Sequence, residues 1–237
     1  MIVNYCNSGW EIITQRAHGL LAGQICARWK ISDQPQRWVE TLTATTGHDD
    51  VFNEFVRGPL LSDRGGPLDF KMTGFDESAC REMMDNAISK SRFIALLFSR
   101  HISFTHGDEA SARPYLTELK KLEKKWIREA QSSTGEVDRA YALLEFCDAF
   151  SLLICQDQIP PEERLLEISK GPSGKSVRFF QQGQQLIVTP WPFEVDTFEV
   201  CYERLTLNEI GFENDEAFRT ALRNAGLELR KLIISRE

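Results

Sequence analysis

The sequence predicts a mainly α fold with an appended antiparallel β-sheet. Apolar residues recur at helical spacing through most of residues 15–156, and beyond Pro160-Pro161 the pattern turns to short alternating runs. The opening residues read as a hairpin, which can add strands to that sheet. At 237 residues the chain is long enough for one generous domain or a domain with a subdomain. The reading is a hairpin plus helical core over 1–158, and a β-rich subdomain over 159–237 packed on it.

Strands over 2–5 and 10–14 flank Asn7-Ser8-Gly9, whose residues supply turn chemistry. Ala17, Leu20, Leu21 and Ile25 then set a helix over 15–30. A second helix follows Pro35 to about His48, with Pro suited to a first turn. Residues 57–75 hold Gly58, Pro59, Gly65, Gly66, Pro67 and Gly74, a long loop of the kind that often carries function. Asp76 offers an N-cap to one long helix over 77–105. Residues 114–131 form a charged helix with an apolar stripe of Leu116, Leu119, Leu122 and Trp126. Its Lys120, Lys121, Lys124 and Lys125 read as a solvated face. Residues 136–156 are apolar all round, the mark of a buried central helix. Strands follow over 165–168, 177–181, 186–188 and 198–207, then a helix over 215–225 and a last strand over 227–234.

With 42% hydrophobic and 27% charged residues, collagen-like, low-complexity and disordered readings are excluded. The net charge of −7 lacks the sign of a general nucleic-acid coat, so a phosphate ligand needs a local site or a metal. Six Cys without a CxxC pair read as reduced, buried thiols of a cytosol. The first ten residues turn polar too soon for a signal peptide, and the longest apolar run, 149–155, is too short to span a bilayer. The expectation is a soluble cytoplasmic protein with neither membrane nor nucleic-acid polymer as partner; a homodimer stays open.

Residues 169–176, Ser-Lys-Gly-Pro-Ser-Gly-Lys-Ser, imitate a phosphate loop. The first Gly is missing, however, and a strand-like run follows where the mechanism needs a helix N-terminus. GxGxxG, GxSxG and HExxH are absent, and no His has Glu three residues before it.

One constellation survives. The four His stand at 18, 48, 101 and 106, all ahead of the β-rich part. Asp49 and Asp50 follow His48. Asp148 lies inside Phe146-Cys147-Asp148-Ala149-Phe150, where an ionised carboxylate needs a cation. A metal held by imidazoles and carboxylates meets that need, and such N/O ligands suit Fe, Mn or Zn. The bland alternatives are a pairing of Asp148 with Arg92, Arg100 or a Tyr hydroxyl, and His101 capping its helix end.

The order His18, His48-Asp49, Asp148, on helices, resembles the HD-domain superfamily of metal-dependent phosphohydrolases. His101, between the HD pair and the last Asp, resembles in position the extra His of the dinuclear branch. The segments 10–21 and 189–193 are similar to a bacterial family described only as a domain of unknown function. The HD resemblance covers about residues 15–158. The Gly-Lys that often follows the HD pair is replaced here by Asp50-Val51.

The resemblance implies an HD-like helical core and a metal-activated water that hydrolyses a small phosphorylated metabolite or nucleotide. One or two divalent ions would be held by His18, His48, Asp49, His101 and Asp148, with His106 and Asp50 as weaker candidates. Asp49 and His101 would act in catalysis. Glu145, one turn before Asp148, would be a supporting carboxylate, a general base or an Arg partner. His101 and His106 lie 140° apart on one helix, so both face one site only if that helix bends or ends. The alternatives are a non-catalytic metal- or ligand-binding sensor using the loop at Trp191-Pro192-Phe193, and an HD-type di-iron oxygenase.

Overall fold

The computed structural model describes residues 1–7, 9–161 and 164–237. Ser8 of the expected hairpin turn and residues 162 and 163 near the expected domain junction lie outside them.

The N-terminal hairpin forms from β1 (Ile2–Cys6) and β2 (Gly9–Ile13). Five helices follow: α1 (Gln15–Cys26), α2 (Trp38–Gly47), α3 (Glu77–Lys90), α4 (Arg92–His106) and α5 (Arg113–Glu129). The 22-residue α6 (Thr134–Cys155) starts at a capping box of Ser133 and Glu136. Then come β3 (Leu166–Ser169), β4 (Val177–Gln182), β5 (Gln185–Thr189), β6 (Thr197–Leu207), α7 (Asp215–Asn224) and β7 (Gly226–Arg236).

The expected long helix over 77–105 is two helices. Ser91 breaks it with extended backbone, closing α3 as C-cap and opening α4 as N-cap, where its hydroxyl accepts the Ile94 N–H. A cap of this kind lets apolar periodicity run on while the axis turns.

The fold-class expectation is overturned at a larger scale. The molecule is not an HD-like helical core with a small appended sheet, because all seven strands join one mixed sheet in the order β1-β2-β6-β7-β5-β4-β3. The hairpin enters this layer when Trp10 to Ile12 pair with Leu207 to Leu205. The 11-residue strands β6 and β7 form its antiparallel centre, and β5 runs parallel to β7. Chain ends far apart in sequence thus share one layer, a tertiary pairing that local periodicity does not encode.

One core crosses from sheet to helices. Leu21 and Ile25 of α1 and Phe146 and Phe150 of α6 pack with Ile2, Phe179, Val188, Phe198 and Ile234. A second core ties α2 to α6, and a third seats α7 against the end of β2 and β6. Phe193 of the Trp191 loop is buried against Trp29 and Phe198, so its ring is core rather than exposed surface. The phosphate-loop mimic joins antiparallel β3 to β4. Among the described residues no helix is long and apolar enough to cross a membrane.

Candidate metal centre

Two glycines set up the site. A Cβ on Gly19 would lie 2.7 Å from the Thr46 carbonyl oxygen, and one on Gly23 would lie 2.3 Å from Thr46 Oγ1. Only Gly lets α1 and α2 approach so closely. That approach sets His18, on α1, against His48, which caps the C-terminus of α2. Thr14 caps α1 by accepting the Ala17 N–H, and Glu54 accepts the Gln15 N–H at 2.9 Å.

His18 and His48 are fully buried, with Nε2 atoms 3.1 Å apart. Their other ring nitrogens decide what those atoms are. His48 Nδ1 donates to the Thr45 carbonyl at 2.8 Å, so its Nε2 carries a lone pair in the neutral ring. Ser151 Oγ gives its hydrogen to the Asp148 carbonyl at 2.9 Å and therefore accepts from His18 Nδ1 at 2.7 Å. The Nε2 of a neutral His18 is then a lone pair as well. Two lone pairs facing each other at hydrogen-bond distance require a proton or a metal ion between them.

Carboxylates complete the cluster. Asp148 Oδ1 lies 3.3 Å from His18 Nε2 and 3.2 Å from His48 Nε2. Asp49 Oδ2 lies 3.4 and 3.6 Å from the same two atoms, and accepts from Gln15 Nε2 at 3.1 Å. Donors bound to one ion at about 2.1 Å, separated by about 90–110°, stand about 3.0–3.4 Å apart. Four of the five observed spacings fall in that range, and Asp49 to His48, at 3.6 Å, is slightly long. His18, His48 and Asp49 form one group able to hold a metal ion, and His48, His101 and Asp148 form another. The shared His48 makes them one cluster.

Charge balance is carried by the histidines when no ion is bound. Burial alone would lower the pKa of His48, but Asp49 and Asp148 outweigh it and raise it to about 10. His18 is raised in the same way, against burial, by its contacts with Asp148 and Asp49. Burial would raise both aspartates; instead His48 and His18 hold Asp49 and Asp148 below the usual carboxylate range. The Arg partners suggested for Asp148 are engaged elsewhere, Arg92 with Glu129 and Arg100 with Glu123 and Asp138.

His101 sits inside α4, with Nε2 4.0 Å from Asp49 Oδ1. Burial first, then the neighbouring His48, lowers its pKa and keeps the ring neutral. Its Nδ1 is buried with no hydrogen-bond partner among the described residues. His106 stands apart: α4 runs unbroken through it, and its Nδ1 donates to Glu109 Oε1 at 2.7 Å. Glu145 accepts from Ser169 Oγ at 2.5 Å, toward β3, and burial raises its pKa. The Asp50 carbonyl accepts from Arg16, and Asp50 belongs to neither metal-capable group.

Asp49, His101 and Asp148 line a cavity of about 580 Å³. Phe52, Leu60, Phe70 and Met72 supply apolar wall, and Arg57, Lys71, His106 and Glu109 supply polar groups. Much of that wall is the loop over 57–75, which the rest of the chain pins in place. Asp215 of α7 accepts the Leu60 N–H at 3.1 Å, Arg219 donates to the Arg57 carbonyl at 3.0 Å, and the Phe70 N–H donates to the Met1 carbonyl at 2.9 Å.

Fold and site together define an α+β protein with a buried histidine–carboxylate cluster, capable of holding a metal, whose Asp49, His101 and Asp148 line a cavity. The chain belongs to DUF3891, a family described as a protein of unknown function, whose model matches residues 1–209. That span contains every residue of the cluster. No curated protein and no solved structure matches the chain.

Sequence reasoning missed Gly19, Gly23, Ser151 and Gln15. The spacing Gly19-x-x-x-Gly23 beside His18 was a usable sign of close helix contact.

Proposed function

We propose that this protein is a metal-dependent hydrolase of a small phosphorylated metabolite or nucleotide. The observation that carries the reading is the convergence of two imidazole lone pairs and two carboxylates at 3.1–3.6 Å, beside a cavity large enough for a small molecule. His18, His48, Asp49 and Asp148 would hold the ion, and the donor set suits Fe, Mn or Zn. A bound divalent ion supplies hydroxide near neutral pH and stabilises charge on phosphoryl oxygens.

The protein's own groups do the rest. Ser151 and the Thr45 carbonyl fix the tautomers of His18 and His48, and Gln15 orients Asp49. Neutral His101, beside Asp49, is placed to accept a proton from the attacking water. Arg57 and Lys71 line the cavity beside Asp49, Glu54, Asp76, Glu109 and Asp148, and Arg57 also pairs with Glu82. Most of the positive charge facing a phosphoryl group would therefore come from the bound ion.

The test is metal content of the purified protein, followed by turnover of generic phosphomonoesters and diesters. Bound metal with hydrolysis supports the reading. Metal without hydrolysis overturns it in favour of a sensor or an oxygenase, and absence of both points to a structural role.

A further inference from the structure

The cavity has a second polar pole that the metal cluster does not use. His106, the last residue of α4, lines the same cavity as Asp49, His101 and Asp148. Its Nδ1 donates to Glu109 Oε1 at 2.7 Å, while Glu109 Oε2 accepts the Phe75 N–H at 2.8 Å. The carboxylate is thus fixed at both oxygens. Gly74 permits the approach, since a Cβ there would lie 3.3 Å from Glu109 Oε2. The Phe75 ring packs edge-on against the imidazole, with centroids 5.4 Å apart.

An imidazole clamped by a carboxylate at one nitrogen and by an aromatic ring on its side keeps Nε2 as its working atom. Five residues along α4 separate it from His101, a rise of about 7.5 Å. In an in-line displacement the attacking and leaving oxygens lie on opposite sides of phosphorus. An acid and a base lining one cavity can therefore serve the two oxygens of one ester.

We propose that His106, oriented by Glu109, is the acid that protonates the leaving group of the hydrolysed ester. The inference rests on the hydrolase reading above. As water oxygen bonds to phosphorus, the bond from phosphorus to the ester oxygen breaks and its electron pair stays on that oxygen. The acid is the imidazolium form of His106, protonated at both ring nitrogens with its charge balanced by Glu109. The ester oxygen takes the Nε2 proton and departs as an alcohol. The water's proton leaves through His101 to solvent, and solvent reprotonates His106, so protons balance over the cycle. Glu109 is a positioning residue; His106 is catalytic.

Two measurements test it on the full chain. In zinc-loaded protein labelled with ¹⁵N at histidine, inorganic phosphate should shift the His106 ring resonances, and Glu109→Gln should diminish that shift. With manganese, His106→Gln should slow phenyl phosphate hydrolysis about 100-fold or more, the scale of general acid catalysis. The same variant should slow 4-nitrophenyl phosphate, whose phenolate departs without help, by less than about 10-fold. Glu109→Gln should follow the same pattern more weakly, and metal content should be unchanged in both variants.

Resonances unmoved by phosphate, or equal losses on the two esters, overturn the assignment while leaving the hydrolase reading intact. Metal binding by the parent protein without turnover of these monoesters or of generic phosphodiesters removes both. Failure to bind zinc removes the metal centre itself.

Discussion

Helices α4 and α6 carry two polar clusters, one partly exposed and one buried, that balance their charges in opposite ways. In one, Arg100 of α4 meets Glu123 of α5 at 2.5 Å and Asp138 of α6 at 3.0 Å, and Ser99 Oγ donates to Glu123 at 2.7 Å. A guanidinium is always charged, so this network is complete without help. In the other, Asp49 and Asp148 face histidines and the neutral Gln15 amide, with no Arg or Lys in their ion pairs among the described residues. No member of that set carries a permanent positive charge, so a proton or a metal must supply it. The first cluster ties α4 to α5 and α6; the second has the donors to hold a cation.

The comparison breaks most visibly at Asp148. Asp148→Asn keeps the shape but removes a charge, and should lower metal occupancy more than 10-fold, the upper range for losses at supporting residues being about 10–100-fold. Added metal should then no longer raise the melting temperature, because that gain follows RT ln(1 + [L]/Kd). Metal analysis and a thermal melt check both; a fully loaded variant contradicts the ligand role.

At the other cluster, Glu123→Gln should cost about 1–3 kcal/mol. That is below the loss for a fully buried pair, since Arg100 is partly exposed and keeps Asp138. Metal content should stay as in the parent. Denaturant unfolding with metal analysis separates the outcomes, and loss of metal here would erase the distinction between the clusters.

Gly19→Ala puts a Cβ against the Thr46 carbonyl and should cost about 1–3 kcal/mol by overpacking. It should also weaken metal binding, because α1 and α2 must part between His18 and His48. Unchanged metal affinity, measured calorimetrically, would show that the helix contact does not set the site.

The comparison also sharpens with pH. Without metal, His48 is raised from 6.5 to about 10, so its stabilisation is full below pH 6.5 and lost as pH climbs through about 10. With metal, proton and ion compete for Nε2, so the melting gain from zinc should grow between pH 6 and 8. A gain that shrank over that range would contradict the competition.

How much of this is legible in the sequence follows from the range of each interaction. Asp148 can be picked out because a carboxylate inside an apolar helix signals a missing cation by residue type alone. His18 and His48-Asp49 can be picked out because the chain has only four His and they precede Asp148 in the order of a recognisable ligand set. Their convergence depends on Gly19 and Gly23 against Thr46, a contact between helices that no single-helix pattern shows. The Ser91 break is hidden because the apolar period continues across it and the serine hydroxyl stabilises the new start. The extent of the sheet is hidden for the same reason at longer range: the pairing of Trp10 with Leu207 joins strands nearly the whole chain apart. His106 and Glu109 lie close in sequence, yet their pairing depends on the turn that follows α4 and on the Phe75 N–H that holds the carboxylate from a distant loop.

The central claim is that the two facing imidazoles and two aspartates hold a single ion. X-ray absorption at the zinc edge, on full-length protein titrated with one equivalent of zinc, reads the ligands directly. The account predicts only nitrogen and oxygen neighbours at about 2.0–2.2 Å, with imidazole scattering beyond them. A sulfur shell at about 2.3 Å, or a spectrum of hydrated zinc without imidazole, would contradict it.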